Sequence, residues 1–484
     1  MKSQLRFKLV AFACGAVFAG GAAAATITII NNDGAGEGFN DPTLVAPLPS
    51  NPEITLGAQR LSVVRAVANE WGALLRSSVE IKIRVAFNPL TCNGTSAVLG
   101  SAGALSAHAN FANAPFPNTL YSAALANSLA GTDLRPTGMD NEDINSQYNS
   151  SYDSGTCITG VAGWYYSTSR TDATPANRTA LFPVVFHEFA HGLGFQTFTS
   201  TTTGAFTGGV PDIWTRHLMD ATSSQRWIQM TSNAQRVASA ISDPNLVWAG
   251  GNVRVDKPLY LRSTPKLVVN APAAIAGLKD AQPASFGPVP PSQGITGDMV
   301  LVIDGTAPSQ DGCETLINPA ALAGKIALIE RGFCNFNVKV KRAQLAGAIA
   351  AVVYNNVASG LPGMGGIDAT VIIPSYGILQ ADGNAILAQL GGNPVNATLG
   401  FDPSSAFAGT TRGFVRMNAP NPIQPGSSVS HFTADTSPDL LMGPAINLNL
   451  FNDADLTIPL FRDIGWKVNA SPGLYIFAGD FEEF

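Results

Sequence analysis

The stretch PVVFHEFAHGLG, residues 183–194, decides how the rest of the chain is read. Its apolar positions Val184, Val185, Phe189, Ala190 and Leu193 predict a buried helix. Pro183 suits the first turn, where a missing N–H is no loss, and Gly194 suits a left-handed stop. On a helix, His187 and His191 are one turn apart and share a face, so both imidazoles can bind one zinc ion. Glu188 projects beside the pair, where a carboxylate reaches an activated water. The bland reading is two histidines satisfied by surface hydrogen bonds. Against it stand the helical context and the scarcity of histidine, five in 484 residues.

A hydrolytic zinc site needs three protein ligands and one open position. A downstream glutamate is disfavoured, because the next one is Glu314, inside a segment of different composition. Three candidates remain: Asp212 in GGVPDIW, His217 on the following helical stretch, and His431. Gly194 lets the chain turn sharply after the helix and bring a later residue under the metal.

HEFAHGLGF at 187–195 and SHFTADTSPDLLMGP at 430–444 resemble the metzincins, and more closely the leishmanolysin-like zinc proteases. The usual metzincin third histidine falls six residues after the second, where this chain has Thr197. Leishmanolysin-like proteases place it after an insertion, shortly before a Met-turn. The resemblance therefore implies His431 as third ligand and Met442 as the Met-turn residue. Asp212 stays open as an aspartate-type alternative, and a methionine such as Met442 is often only core filler.

Outward from this segment, Thr26–Ile30 predicts a strand and 57–76 an amphipathic helix. Residues 79–87 alternate apolar with charged, a half-buried strand. Residues 90–158, rich in Ser, Asn, Gly and Ala, are expected to be irregular. A helix is expected over about 212–241. Residues 262–400 shift to Val, Ile, Ala, Gly and Pro, with strand-like runs at 299–303, 325–329 and 350–354 and a helix at 338–347. There GKIALIERGFCNF at 324–336, KVKRAQLAGAIAAVVYNN at 339–356 and IPSYGI at 373–378 resemble a protease-associated (PA) domain. That resemblance implies a lid or substrate-docking role. Lys339, Lys341 and Arg342 read as a solvated helix face.

The first 25 residues read as an export signal: a basic start with Lys2, Arg6 and Lys8, an apolar run, then small residues. No later run is long enough to span a membrane. Export favours disulfides, and sequence order pairs Cys92 with Cys157 and Cys313 with Cys334, Cys14 lying in the leader. The formal net charge of −6, without a basic stripe, argues against nucleic-acid binding. Oxygen-rich turns offer calcium ligands at Asp33, Glu37, Asn40 and Asp41, and at Asn452, Asp453 and Asp455, although turn chemistry explains them equally well.

The expectation is an α+β chain: signal peptide 1–25, zincin-like catalytic domain 26–261 and 401–484, split by an inserted β-rich α/β protease-associated domain at 262–400. Its function would be that of a secreted zinc endopeptidase acting on protein or peptide substrates, with Glu188 as general base. A non-proteolytic surface-binding or adhesion protein on the same scaffold is the competing class. Retention of Glu188 counts against it, since a relic usually loses the base or a ligand.

Overall fold

The alternation expected over 79–87 becomes a strand whose inward residues Ile81, Ile83 and Val85 are fully buried. In the computed structural model the described residues are 24–135, 142–169, 172–175, 177–291, 293–366, 368–402, 407–445 and 453–469. Most of the segment read as an export signal, and Asn452, lie outside them. The described residues form two compact units, one from 24–194 with 464–469, the other from 195–463.

In the first unit, strand β1 (Ile27–Asn31) leads to helix α1 (Leu56–Leu74) and strand β2 (Ile81–Asn88), which pairs parallel with β1. Strand β3 (Gly100–Ala104) and strand β4 (Ile144–Asn149) complete a four-stranded sheet in the order β1-β2-β4-β3. Edge strand β3 runs antiparallel to β4. The region expected to be irregular therefore supplies half the sheet. Its run GSAGA lacks the β-branched residues that signal a strand, and pairing with β4 overrides that weak propensity. Cys92 and Cys157 are disulfide-bonded in this region.

Helix α2 (Leu181–Leu193) packs on this sheet, and every residue in it is buried. Trp71 of α1 stacks on Phe186 at 4.6 Å and donates its indole N–H to the Phe186 carbonyl. Gly194 ends the helix at φ +127°, a conformation that favours glycine, and its N–H bonds the carbonyls of Ala190 and His191. Trp466 donates to the Leu193 carbonyl at 2.8 Å.

In the second unit the expected helix over 212–241 is interrupted. Short helices at Ile213–His217 and Asn233–Ala240 flank strands at Leu218–Asp220 and Gln225–Arg226. The apolar spacing suited one long helix, but the Asp220–Gln225 pairing of the two strands breaks it. Strand Leu218–Asp220 also pairs with Leu246–Trp248 in a five-stranded sheet.

Farther along, seven strands close into a barrel. They are β5 (Pro265–Ala271), β6 (Gly277–Pro283), β7 (Ile295–Leu301), β8 (Ile326–Glu330), β9 (Ala350–Tyr354), β10 (Ser375–Ile378) and β11 (Asn396–Phe401). Their order is β5-β6-β10-β9-β8-β7-β11, and closure removes exposed edges. Leu267, Leu328, Val352, Tyr376 and Leu399 belong to one core cluster, while Val340 and Ala343 of helix α3 (Phe336–Leu345) belong to a second. Cys313 is bonded to Cys334, and closing a loop of this size stabilises by roughly 3 kcal/mol. The solvated face expected on α3 is corrected at Lys339. Its side chain is buried with its ammonium against Asp311, because α3 turns this position toward the disulfide loop. Lys341 and Arg342 reach outward to the carbonyls of Thr370 and Gly312.

The seat of α2 has no slack at Gly192. A Cβ added there would come within 2.2 Å of Ile144 Cγ2 on β4. Gly192→Ala should destabilise the protein by roughly 1–3 kcal/mol in urea denaturation, as overpacking does, and Ile144→Ala in the same chain should recover part of that loss.

Candidate metal centre

The helical spacing of His187 and His191 becomes geometry on α2. Their Nε2 atoms lie 3.1 Å apart, and both rings are buried. Two ligand atoms of a tetrahedral zinc, each about 2.0–2.1 Å from the ion, stand roughly 3.3–3.4 Å apart. The pair therefore fits two corners of such a site, with neutral nitrogen donors of the type zinc prefers.

Glu188 is buried beside them. Burial pushes its carboxyl up to about 8, while a hydrogen bond from the Ala102 amide pulls the other way. A cation nearby would favour its ionised form. The packing explains the small residues of β3. A Cβ on Gly100 would stand 3.0 Å from Glu188 Cγ, so a side chain here would crowd the carboxylate that the bare strand approaches. Gly100 and Ala102 went unrecognised in the sequence, where GSAGA read as loop. The available signal was the absence of any large side chain over five residues.

The second unit holds the remaining candidates. Asp212 caps the helix at Ile213–His217 through Oδ1, which accepts from the Thr215 amide at 2.6 Å. Its Oδ2 accepts from the amides of Phe198 at 2.6 Å and Thr199 at 2.9 Å, and from the Thr197 hydroxyl at 2.9 Å. Oδ1 is thus engaged by the start of the helix and Oδ2 by the 197–199 loop. Thr197, at the usual metzincin position of the third histidine, is one of their donors.

His431 is buried, and its Nδ1 lies 2.8 Å from the Ser427 carbonyl. That contact sets the proton on Nδ1 and leaves the lone pair on Nε2, the arrangement of a histidine prepared for metal. Met442 is fully buried, and its carbonyl accepts from the amide of Phe432, the residue after His431. The Asp455 carboxylate accepts from the Leu441 amide on the same stretch. Burial, with Asp453 adding to it, raises the Asp455 carboxyl to about 7.

The oxygen-rich turn at 31–41 is closed by its own backbone. Asp33 accepts from the amides of Phe39 and Phe87, Glu37 from Gly34, and Asp41 from Thr43. At the other proposed calcium turn, Asp455 accepts from Leu441 and Thr457.

Residues 295–386 match the PA domain family. The chain is 38% identical over 133 residues to leucine aminopeptidase 2 of Arthroderma otae, a stretch covering 27% of this chain and 24% of that protein. It is 33% identical over 115 residues to the human E3 ubiquitin-protein ligase RNF13, covering 22% and 29%. The chain thus spans about a quarter of the length of these relatives, and their names denote unrelated chemistries. Among solved structures, a zinc aminopeptidase from Bacillus subtilis is 30% identical with a TM-score of 0.23, covering 30% of this chain and 31% of that one. At that score the likeness carries no argument about fold or activity.

His217 is half-buried and stacked on Trp248 at 5.1 Å. Burial, opposed by the Asp463 carboxylate, depresses its imidazole from 6.5 to about 4. The folded state keeps the ring neutral, whereas the unfolded chain protonates it near pH 6.5. Its contribution is therefore present above pH 6.5 and lost as pH falls toward 4, at most about 3 kcal/mol. His217→Phe should lose less stability than the parent between pH 7 and 4.5, read as the shift in urea midpoint at each pH.

Proposed function

We propose that the chain is an exported zinc peptidase in which His187, His191 and His431 hold the metal and Glu188 is the general base. The observation that carries this reading is the paired imidazoles of α2, Nε2 to Nε2 at 3.1 Å, with a buried carboxylate on the adjoining residue. His431 is preferred over its rivals because Asp212 spends one oxygen on the 197–199 loop and the other on the Thr215 amide, and His217 stacks on Trp248. The hydrogen bond from its Nδ1 presents the other ring nitrogen as a donor.

A zinc ion bound by these three residues would polarise the scissile carbonyl and lower the pKa of a water. Glu188 accepts the proton released by the attacking water and delivers it to the departing amine. The Ala102 amide orients the carboxylate for that transfer. Met442, whose carbonyl accepts from the amide next to His431, takes the part of the Met-turn residue in this reading. Residues 262–400 act as an inserted unit that guides substrate rather than reacting with it, in line with the PA match within them. The two disulfides support an exported chain, and among the described residues no helix is long and apolar enough to cross a membrane.

Cleavage within chains is preferred over removal of terminal residues. The aminopeptidase relatives share only about a quarter of their length with this chain, and the PA match at 295–386 excludes the histidine helix. Casein and a peptide blocked at its N-terminus should both be cut, with loss of cutting in a chelator and recovery on added zinc. Cleavage of free leucyl substrates alone would reverse the endopeptidase assignment.

Glu188→Gln should retain one zinc per chain and lose at least roughly 100-fold in turnover, the scale of general acid–base catalysis. His431→Ala should lose both zinc and activity. Folded Asp212→Ala should be less stable yet keep its zinc. Zinc content by atomic absorption separates these outcomes, and a zinc-free Asp212→Ala with a zinc-loaded His431→Ala would reassign the third ligand.

A further inference from the structure

The loop between β7 and β8 is tied to the segment after β8 by the Cys313–Cys334 bond. Three acids meet there: one carboxylate oxygen from each of Asp304, Asp311 and Glu314 lies within 4.8 Å of the others. Such a cluster alone is not a site. The deciding feature is Asp304, whose side chain is 1% exposed. Its Oδ1 accepts from the Thr306 amide at 3.3 Å, but its Oδ2 is buried without a hydrogen-bond donor among the described residues. A carboxylate oxygen removed from water and left without a donor is costly, and native structures rarely keep one unless something binds it.

The nearby ammonium does not meet the need. Lys339 spends its protons on the Asp311 carbonyl and Cys313 sulfur, and stands 3.5 Å from Asp311 Oδ2. Asp311 Oδ1 accepts from the Cys313 amide at 3.0 Å, while Oδ2 faces the Phe333 amide at 3.4 Å. Three carboxylates against one ammonium leave two negative charges, which a divalent cation neutralises. The ionisable donors are oxygen alone: no imidazole belongs to the cluster, and the sulfurs are tied in a disulfide. That selects a hard cation. Glu314 is exposed, so one side opens to the water molecules that calcium retains in its shell.

We infer that Asp304, Asp311 and Glu314 form a calcium site in the PA segment, separate from the histidine centre. Calcium there ties the 304–314 loop to the disulfide and to Lys339 on α3, so its role is structural. The inference is independent of the peptidase assignment and stands if that assignment fails.

The test uses the full chain, stripped of divalent ions on a chelating resin, reloaded with zinc and then titrated with calcium chloride by calorimetry and by thermal denaturation. The expected result is one calcium bound per chain at this site and a rise in Tm. Asp304→Asn, which keeps the shape and removes the charge, should abolish both responses while zinc content stays unchanged. Glu314→Gln, at an exposed position that does not threaten folding, should weaken binding at least about tenfold, since affinity follows ligand charge. If Asp304→Asn does not fold, Glu314→Gln decides alone. No calcium response in the parent chain, as expected if Asp304 binds only water or a proton, overturns the site. A full response in the folded variants overturns it equally, because the calcium then sits elsewhere.

Discussion

The histidine helix depends on one steric constraint: a helix carrying two imidazoles and a carboxylate is buried on every side. Burying such groups is unfavourable unless each is held by a partner, so the surroundings must be shaped to them. The shaping is done by omission of side chains. Gly192 lets α2 settle against Ile144, and Gly100 lets the edge strand approach Glu188. Ala102 then meets the carboxylate with its backbone rather than its side chain. The aromatic contact of Trp71 with Phe186 holds the other face of α2, which fixes the rotation of the helix and the direction of its imidazoles.

Acidic residues along the chain illustrate how one side-chain type takes different work from its surroundings. Asp33 and Asp212 are consumed by amides and hydroxyls, and they act as fixed points for turns. Asp455 is also bound by amides, yet burial and Asp453 hold its carboxyl near neutrality. Glu188 has one amide and deep burial, the setting in which a carboxyl becomes a proton carrier at ordinary pH. Asp304 keeps an oxygen without a donor, the setting that asks for a cation. Composition gives no hint of these differences. They follow from the number of donors each carboxylate meets.

The sequence by itself determined the helix at 181–193 and the placement of His187, Glu188 and His191 along it, because a 3.6-residue period and residue types at fixed spacing are local properties. It likewise determined β2 from strict alternation, and the order of the cysteines suggested the two pairings that the structure holds. Tertiary structure alone decided the rest. GSAGA became a strand because β4 offers it hydrogen bonds, an influence that no window of five residues contains. The stretch at 212–241 broke into two helices because Leu218–Asp220 found a sheet to join. Lys339, charged and on an amphipathic helix, went inward because Asp311 waits for it 28 positions earlier in the chain. Asp212 and His431 were both candidate ligands in the sequence, with His431 preferred on its resemblance to the leishmanolysin-like pattern. The amides of Phe198, Thr199 and Thr215 around Asp212, and the Ser427 carbonyl at His431, are partners brought together only by folding.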